Sequence, residues 1–463
     1  MSKKESPFRS LAYKSLFFIV LPIAISACSS DDNVVPIPEK EQQEEQEIAA
    51  EDKLPLFSIT TENGAEIVDE PKVNAQMTIT EKGTVSFDGR IGIEIRGSSS
   101  QMFPKKSFGF ETRDADNNDT DVSLLGLPEE EDWILHGPYS DKSLVRNLLI
   151  YDLSREMDRY ASRSHLVELD INGSFGGVYV FMEKLKRDKE RIDINKLKDD
   201  ENSGEDLTGG YILKIDKGYD EQNAFTSAYG SSIGSESQEV RFIYTYPKAD
   251  KITPEQKDYI ATYINDFETA LASDEFTDPV SGYTAYADMD SFVDFFILNE
   301  LSNNVDGYRI STYMHKDKNE KLKMGPIWDF NLAFGNADYC SGGETNVWAY
   351  KFNERCPEDN FSVPFWWDRL LTDPAFVLRL QERWSALRGG TLSDSAILGK
   401  IDGYVAVMDK AGAIKTNYET WSVLGVYVWP NNFVGDNYGD EIGYLKSWIT
   451  NRTIWMDDAI NGL

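Results

Sequence analysis

The sequence predicts an α+β fold of two lobes in contact, a β-rich N-terminal half at about residues 54–216 and a helix-rich C-terminal half at about 250–463. Two observations carry this. Up to residue 216 short apolar runs alternate with period two and are broken by turn dipeptides, the pattern of half-buried strands. Beyond residue 253 apolar residues recur at helical spacing over long stretches. Strands grouped ahead of helices point to α+β rather than to a parallel βαβ sheet. No internal repeat is visible.

The elements follow in order. Leu56-Phe57-Ser58-Ile59-Thr60 is strand-like and runs into the turn signal Glu62-Asn63-Gly64. Met77 to Thr80 and Ile91 to Ile95 alternate, and Lys106 to Thr112 reads as a further short strand. Residues 141–159 have helical spacing. Strands at 165–171 and 177–183 flank Asn172-Gly173, a hairpin dipeptide, and another strand covers Gly210 to Asp216. Thr253-Pro254 reads as an N-cap followed by Pro at the first helical position, opening a helix to about Leu271. Asp288 to Asn303 is apolar on more than one face, which predicts a buried helix. Helices near 364–387, 393–410 and 440–461 complete the chain.

Composition narrows the function. With 463 residues, 41% hydrophobic and 12% aromatic, the chain has material for a large core, which excludes a disordered chain and a disulfide-dense mini-protein. A formal net charge of −32 argues against nucleic acid as a partner, because phosphate backbones demand clustered cations. The three His and three Cys fit no zinc motif.

Residues 1–27 read as a secretory signal: Lys3, Lys4, Arg9 and Lys14 precede an apolar run, Leu16 to Ile25, too short to span a bilayer. The run ends in Ile25-Ser26-Ala27-Cys28, which resembles a bacterial lipobox with Cys28 as the acylated residue. The alternative is a plain Cys in an ordinary signal region. Ser29-Ser30-Asp31-Asp32-Asn33 resembles the surface-export signal of Bacteroidetes lipoproteins. Residues 28–53 then form an acidic, Pro- and Glu-rich stretch, read as a disordered tether with a reach of about 25–30 Å. A charged surface helix at 39–52 is the competing reading. The expected location is the outer membrane or cell surface, held by lipid alone; a periplasm-facing anchor is the other option. In an exported protein the remaining pair, Cys340 and Cys356, reads as a disulfide closing a Gly-rich segment, against the alternative of two free thiols.

Four segments carry a resemblance. They are Glu94-Ile95-Arg96-Gly97-Ser98-Ser99-Ser100 with Pro104-Lys105-Lys106; Asp132-Trp133-Ile134-Leu135 with Asp141-Lys142-Ser143-x-x-Arg146-Asn147; Gly176-Gly177-Val178-Tyr179 leading to Glu183; and Asn304-Val305-Asp306 with Gly325-Pro326-Ile327-Trp328-Asp329-Phe330-Asn331. Together, over residues 54–463, they resemble the spore-coat CotH family of atypical, secreted or surface protein kinases. The resemblance implies a two-lobed, atypical protein-kinase-like domain using ATP and Mg²⁺. It implies Asp306 as the catalytic carboxylate; Asp329, Asn331 and Ser311 at the metal; and Arg96, Ser98, Ser99, Ser100, Lys106, Arg146 and Glu183 around the nucleotide.

The residues can also be read without the family. A small-residue turn between two strands, Gly97 to Ser100, can bring backbone N–H groups to phosphate oxygens, with Arg96 and Lys106 supplying charge. The alternative is an ordinary turn with exposed basic residues. Asp306 lies in a polar turn after an apolar helix; Thr312-Tyr313-Met314 and Lys323-Met324 flank a polar turn at 317–320, so a hairpin would return the chain and deliver Asp329 beside Asp306. Two converging carboxylates can hold Mg²⁺ or orient a hydroxyl; two turn-capping Asp residues are the alternative.

Three positions depart from the pattern. Kinase catalytic loops place a metal-ligating Asn about five residues after the catalytic Asp, where this chain has Ser311. Asn331 stands where the family commonly has Asp, and Lys214 where an acid is expected. The function that the resemblance implies is transfer of phosphate from Mg-ATP to Ser or Thr of a cell-surface protein. The alternative is a catalytically inactive scaffold binding a surface protein or glycan, for which Trp348, Trp366, Trp367, Trp421 and Trp429 offer stacking surfaces. A glycoside hydrolase with paired carboxylates has only the abundance of acids behind it.

Overall fold

A computed structural model describes residues 48–233 and 237–463, so the signal segment, Cys28 and the tether up to residue 47 lie outside the described residues. The fold is α+β. Its first part is a closed barrel of seven strands: β1 (Leu56–Thr61), β2 (Val73–Glu81), β3 (Thr84–Arg96), β4 (Ser107–Arg113), β5 (Asp132–His136), β6 (Ser164–Ile171) and β7 (Ser174–Glu183). Helix α1 (Arg146–Glu156) is inserted between β5 and β6. Neighbours pair antiparallel except at the seam, where β1 runs parallel to β6 with Leu56 opposite Glu168. Inward side chains fill the lumen, among them Phe57, Met77, Ile93, Phe110, Trp133 and Phe181. Asn172 and Gly173 turn the β6–β7 hairpin, both in the left-handed region (φ 54° and 79°) that this two-residue turn requires.

A second sheet joins strands distant in sequence. β8 (Tyr211–Ile215), β9 (Ala224–Thr226) and β10 (Arg241–Tyr246) combine with β11 (Thr312–Lys316) and β12 (Leu322–Met324) in the order β12-β11-β8-β10-β9. The strand expected at 210–216 is therefore β8, and it pairs with β10 and β11 rather than with the barrel.

Helices pack against this sheet over the larger core. α2 (Pro254–Ala272) opens with a full capping box, Thr253 and Gln256, with Pro254 in its first turn. α3 (Met289–Ser302) is capped by the Asp288 side chain, is buried along most of its length, and stops at Asn303 in the left-handed region (φ 43°). α4 (Phe352–Arg355) and α5 (Trp366–Leu370) are short. The helix expected across 364–387 is broken: α5 ends, Asp373 caps the next turn, and α6 (Pro374–Arg388) begins at a proline that cannot continue the helix before it. α7 (Asp394–Lys410), α8 (Ala413–Thr420) and α9 (Tyr438–Asn461) follow, and α8 packs on β7. α1 is shorter than the expected 141–159, because Asp141 folds residues 141–145 into a turn by accepting from the backbone N–H groups of Ser143 and Arg146. Cys340 and Cys356 are bonded, with Cα atoms 5.6 Å apart. Among the described residues no helix is long and apolar enough to cross a membrane.

Candidate functional site

A cavity of about 430 Å³ lies where the mouth of the barrel meets the second sheet. From the barrel come Arg96 at the end of β3, the turn Gly97 to Ser100, and His136 of β5. From the other side come Asp216 and Lys217 after β8, the loop from Asp306 to Ser311 after α3, and Asp329 and Asn331 after β12. The β11–β12 hairpin thus carries the chain from Asp306 back to Asp329 in the same cavity.

The Asp329 segment is held from behind by α1. Asp329 N–H donates to Tyr151 Oη at 3.1 Å, and Phe330 N–H donates to Asn147 Oδ1 at 2.8 Å. Asn147 and Tyr151 lie one helical turn apart, so one face of α1 reads two consecutive backbone groups. The Tyr151 ring stacks on Trp328 (centroids 6.1 Å, 16°), and the Arg96 guanidinium lies 5.5 Å from the centre of the Trp328 ring. Asp329 itself has φ 65° and Ser311 has φ 49°, sparsely populated values for non-glycine residues.

The electrostatics follow from gathering three half-buried acids in one cavity. Burial pushes the Asp329 carboxyl up to about 7, with the charges of Asp306 and Asp216 adding to it while Arg96 and Lys217 oppose. Asp306 is also raised, by burial first, against the pull of Arg309. The His136 imidazole is pushed down to about 4, by burial and then by the cations Arg96 and Lys105, so it is neutral at pH 7; its Nε2 has no hydrogen-bond partner. Oxygen donors beside lysine and arginine suit a hard divalent cation and the phosphates it accompanies. A tighter group of carboxylates, Asp121, Glu130 and Glu131, lies elsewhere with its oxygens within 4.8 Å of one another. Lys186 already pairs with two of its members, at 2.7 Å from both Glu130 and Glu131.

The cavity brings together Arg96, Ser98, Ser99, Ser100, Asp306, Ser311, Asp329 and Asn331. It does not include three residues expected around a nucleotide. Lys106 Nζ turns back to the Gln101 carbonyl at 2.5 Å. Arg146 is buried against Asp141 and spends its remaining donors on the carbonyls of Ala333 and Phe334, so it braces the segment after Asp329 rather than facing the cavity. Glu183, fully buried, accepts from Arg163 at 2.7 Å and from Tyr160 at 3.2 Å. Lys105, also buried, ties β7 to α8 through the Val178 carbonyl and Asn417 Oδ1.

Sequence reasoning missed Asp216. It looked for an acid at position 214, but in extended chain residues two apart share a face. Lys214 and Asp216 both line the cavity and pair at 2.8 Å. That alternation was the available signal. His136, Lys217 and Tyr151 had none beyond their types; Asn147 stood in the quoted Arg146-Asn147 motif without a role assigned to it. Of the five Trp residues considered for stacking, Trp366 and Trp367 are core, Trp348 and Trp421 are half-buried, and Trp429, 44% exposed, stands at the cavity edge.

The family model described as CotH kinase protein matches residues 93–456. The chain belongs to the CotH kinase family. Membership points to a kinase-like function, and the CotH match spans Arg96, Asp216, Asp306 and Asp329 alike. No curated protein matches the chain.

Proposed function

We propose that this CotH protein is a lipid-anchored, surface-facing kinase of two-lobed, kinase-like architecture, which transfers the γ-phosphoryl group of ATP to a Ser or Thr hydroxyl of a surface protein. The observation behind this reading is the single cavity in which Asp306 and Asp329 meet Arg96 and the turn Gly97 to Ser100. The donor set fits Mg²⁺: Asp329 and Asp216 offer carboxylates, Asn331 an amide oxygen and Ser311 a hydroxyl, all oxygen ligands. Bound there, Mg²⁺ would supply charge neutralisation for phosphate oxygens.

The chain's own residues divide the rest. Arg96, braced on Trp328, and Lys217 offset phosphate charge. Asp306 accepts the hydrogen bond of the acceptor hydroxyl and directs its lone pair at phosphorus. Tyr151 and Asn147 hold the Asp329 backbone in place.

Two observations favour a second reading, a catalytically inactive scaffold: Ser311 and Asn331 each bring less negative charge or weaker ligation than a kinase site uses, and Trp429 lies exposed at the cavity edge for a protein or glycan. Thermal melting with ATP and Mg²⁺, with and without chelator, separates the two. The kinase reading requires a metal-dependent rise in Tm together with label transfer from γ-labelled ATP. A metal-dependent rise without transfer supports the scaffold.

A further inference from the structure

The loop that carries Asp306 is gripped from one side by a single segment, residues 339–361, which the kinase reading leaves without a role. Asn303 opens the loop, and its side-chain amide donates to three carbonyls of that segment, Ser341 at 3.0 Å, Gly342 at 3.3 Å and Glu344 at 3.1 Å. At Gly342 the segment packs so closely that a Cβ would sit 2.8 Å from both Val305 Cγ1 and the Ala337 carbonyl oxygen, so any side chain there would force a neighbour to shift. Arg309 closes the loop. It is 2% exposed and lies 3.7 Å from the centre of the Phe352 ring. Its Nη2 is 3.3 Å from Asp306 Oδ1, and its Nη1 is 3.1 Å from Asp359 Oδ1 and 3.3 Å from the Phe361 carbonyl. Its Nε donates to the Val305 carbonyl at 2.9 Å. The gripping segment is closed on itself by the Cys340–Cys356 bond, and Asp359 is set against that closure through its N–H to the Cys356 carbonyl at 3.1 Å.

We propose that Arg309 is a positioning residue that sets the Asp306 carboxylate, and that the disulfide-closed segment 340–356, with Asp359 just beyond it, is the clamp that holds Arg309. A planar guanidinium with its donors shared between two carboxylates and two carbonyls has one orientation, and Asp306 inherits it. Asp306 makes no other side-chain ion pair among the described residues. The consequence for turnover rests on the kinase reading; the clamp itself does not.

The test therefore has two arms on the full chain. In the first, hydrogen exchange is followed by mass spectrometry in wild type, Asp359→Asn and the double variant Cys340→Ser/Cys356→Ser. Asp359 is 29% exposed, so its substitution leaves the core intact. Amides of residues 303–311 should exchange about tenfold faster in both variants, with those of α6 and α9 unchanged. Unchanged exchange at 303–311, or an equal rise throughout the chain, overturns the clamp. In the second arm, Arg309→Met and Arg309→Lys are compared for transfer of label from γ-labelled ATP to dephosphorylated casein and for Mg-ATP binding by calorimetry. Misplacing a reacting group by an ångström costs about 10²-fold, so Arg309→Met should lose about that in kcat with Kd within about twofold, and Arg309→Lys should recover part of it. A loss carried by Kd instead overturns the positioning role. If wild type transfers no label, the kinase reading falls, and the exchange arm decides the clamp alone.

Discussion

Asp329→Asn should make the metal-free protein more stable, although it removes a proposed metal ligand. The Asp329 carboxyl is raised from an ordinary 3.8 to about 7 by burial beside Asp306 and Asp216. A carboxyl that holds its proton more tightly when folded costs stability wherever the unfolded chain would ionise it. The cost is absent below about pH 3.8, grows as pH rises, and is complete above about pH 7. Three pKa units correspond to ~4 kcal/mol. Asparagine keeps the shape, carries no charge, and tolerates the φ of 65° at this position. With a chelator present, urea unfolding should show the variant up to ~4 kcal/mol more stable at pH 8, and within about 1 kcal/mol of wild type at pH 4. Saturating Mg²⁺ should narrow the gap at pH 8, because only wild type gains the full ligand set. A variant less stable than wild type at pH 8, or a difference independent of pH, would refute the electrostatic account of the site.

Three further outcomes are expected. Asp306→Asn should lower phosphoryl transfer by about 10²–10⁴-fold while leaving Mg-ATP affinity nearly unchanged; calorimetry showing lost binding would move Asp306 to the metal instead. Ser311→Asn should tighten divalent-cation binding, because asparagine suits the left-handed φ of 49° there and adds a stronger oxygen ligand; unchanged metal affinity by titration calorimetry would place residue 311 off the metal. Cys28→Ser should abolish detergent-phase partitioning, and membrane association that survives the substitution would remove the lipid anchor from the proposal.

Much of the fold was legible because its signals are local. The Asn172-Gly173 turn, the Thr253-Pro254 helix start and the 312–324 hairpin each rest on neighbours in sequence. The pairing of Asp306 with Asp329 was legible for the same reason: a hairpin returns its ends to one place. The roles of Arg146, Lys106 and Glu183 were not legible. Lys106 turns back on the Gln101 carbonyl within its own turn, whereas Glu183 and Arg146 have partners that only folding supplies, Arg146 meeting its carbonyls at residues 333 and 334, far along the chain. A basic residue near a phosphate-binding turn and a basic residue spent on buried carbonyls look alike in sequence.

The sequence by itself determined the α+β class, the strand and helix periods, the export-like N-terminus as an expectation, and the residue types at the site. The tertiary structure alone decided the parallel β1–β6 seam that closes the barrel and the second sheet that joins β8 to β11. It also decided which charges face the cavity. Period and capping are set by residues within a few positions of one another. Strand partners, ion-pair partners and desolvation are set by groups that meet only once the core is packed, so Asp216 entered the site and Arg146 left it.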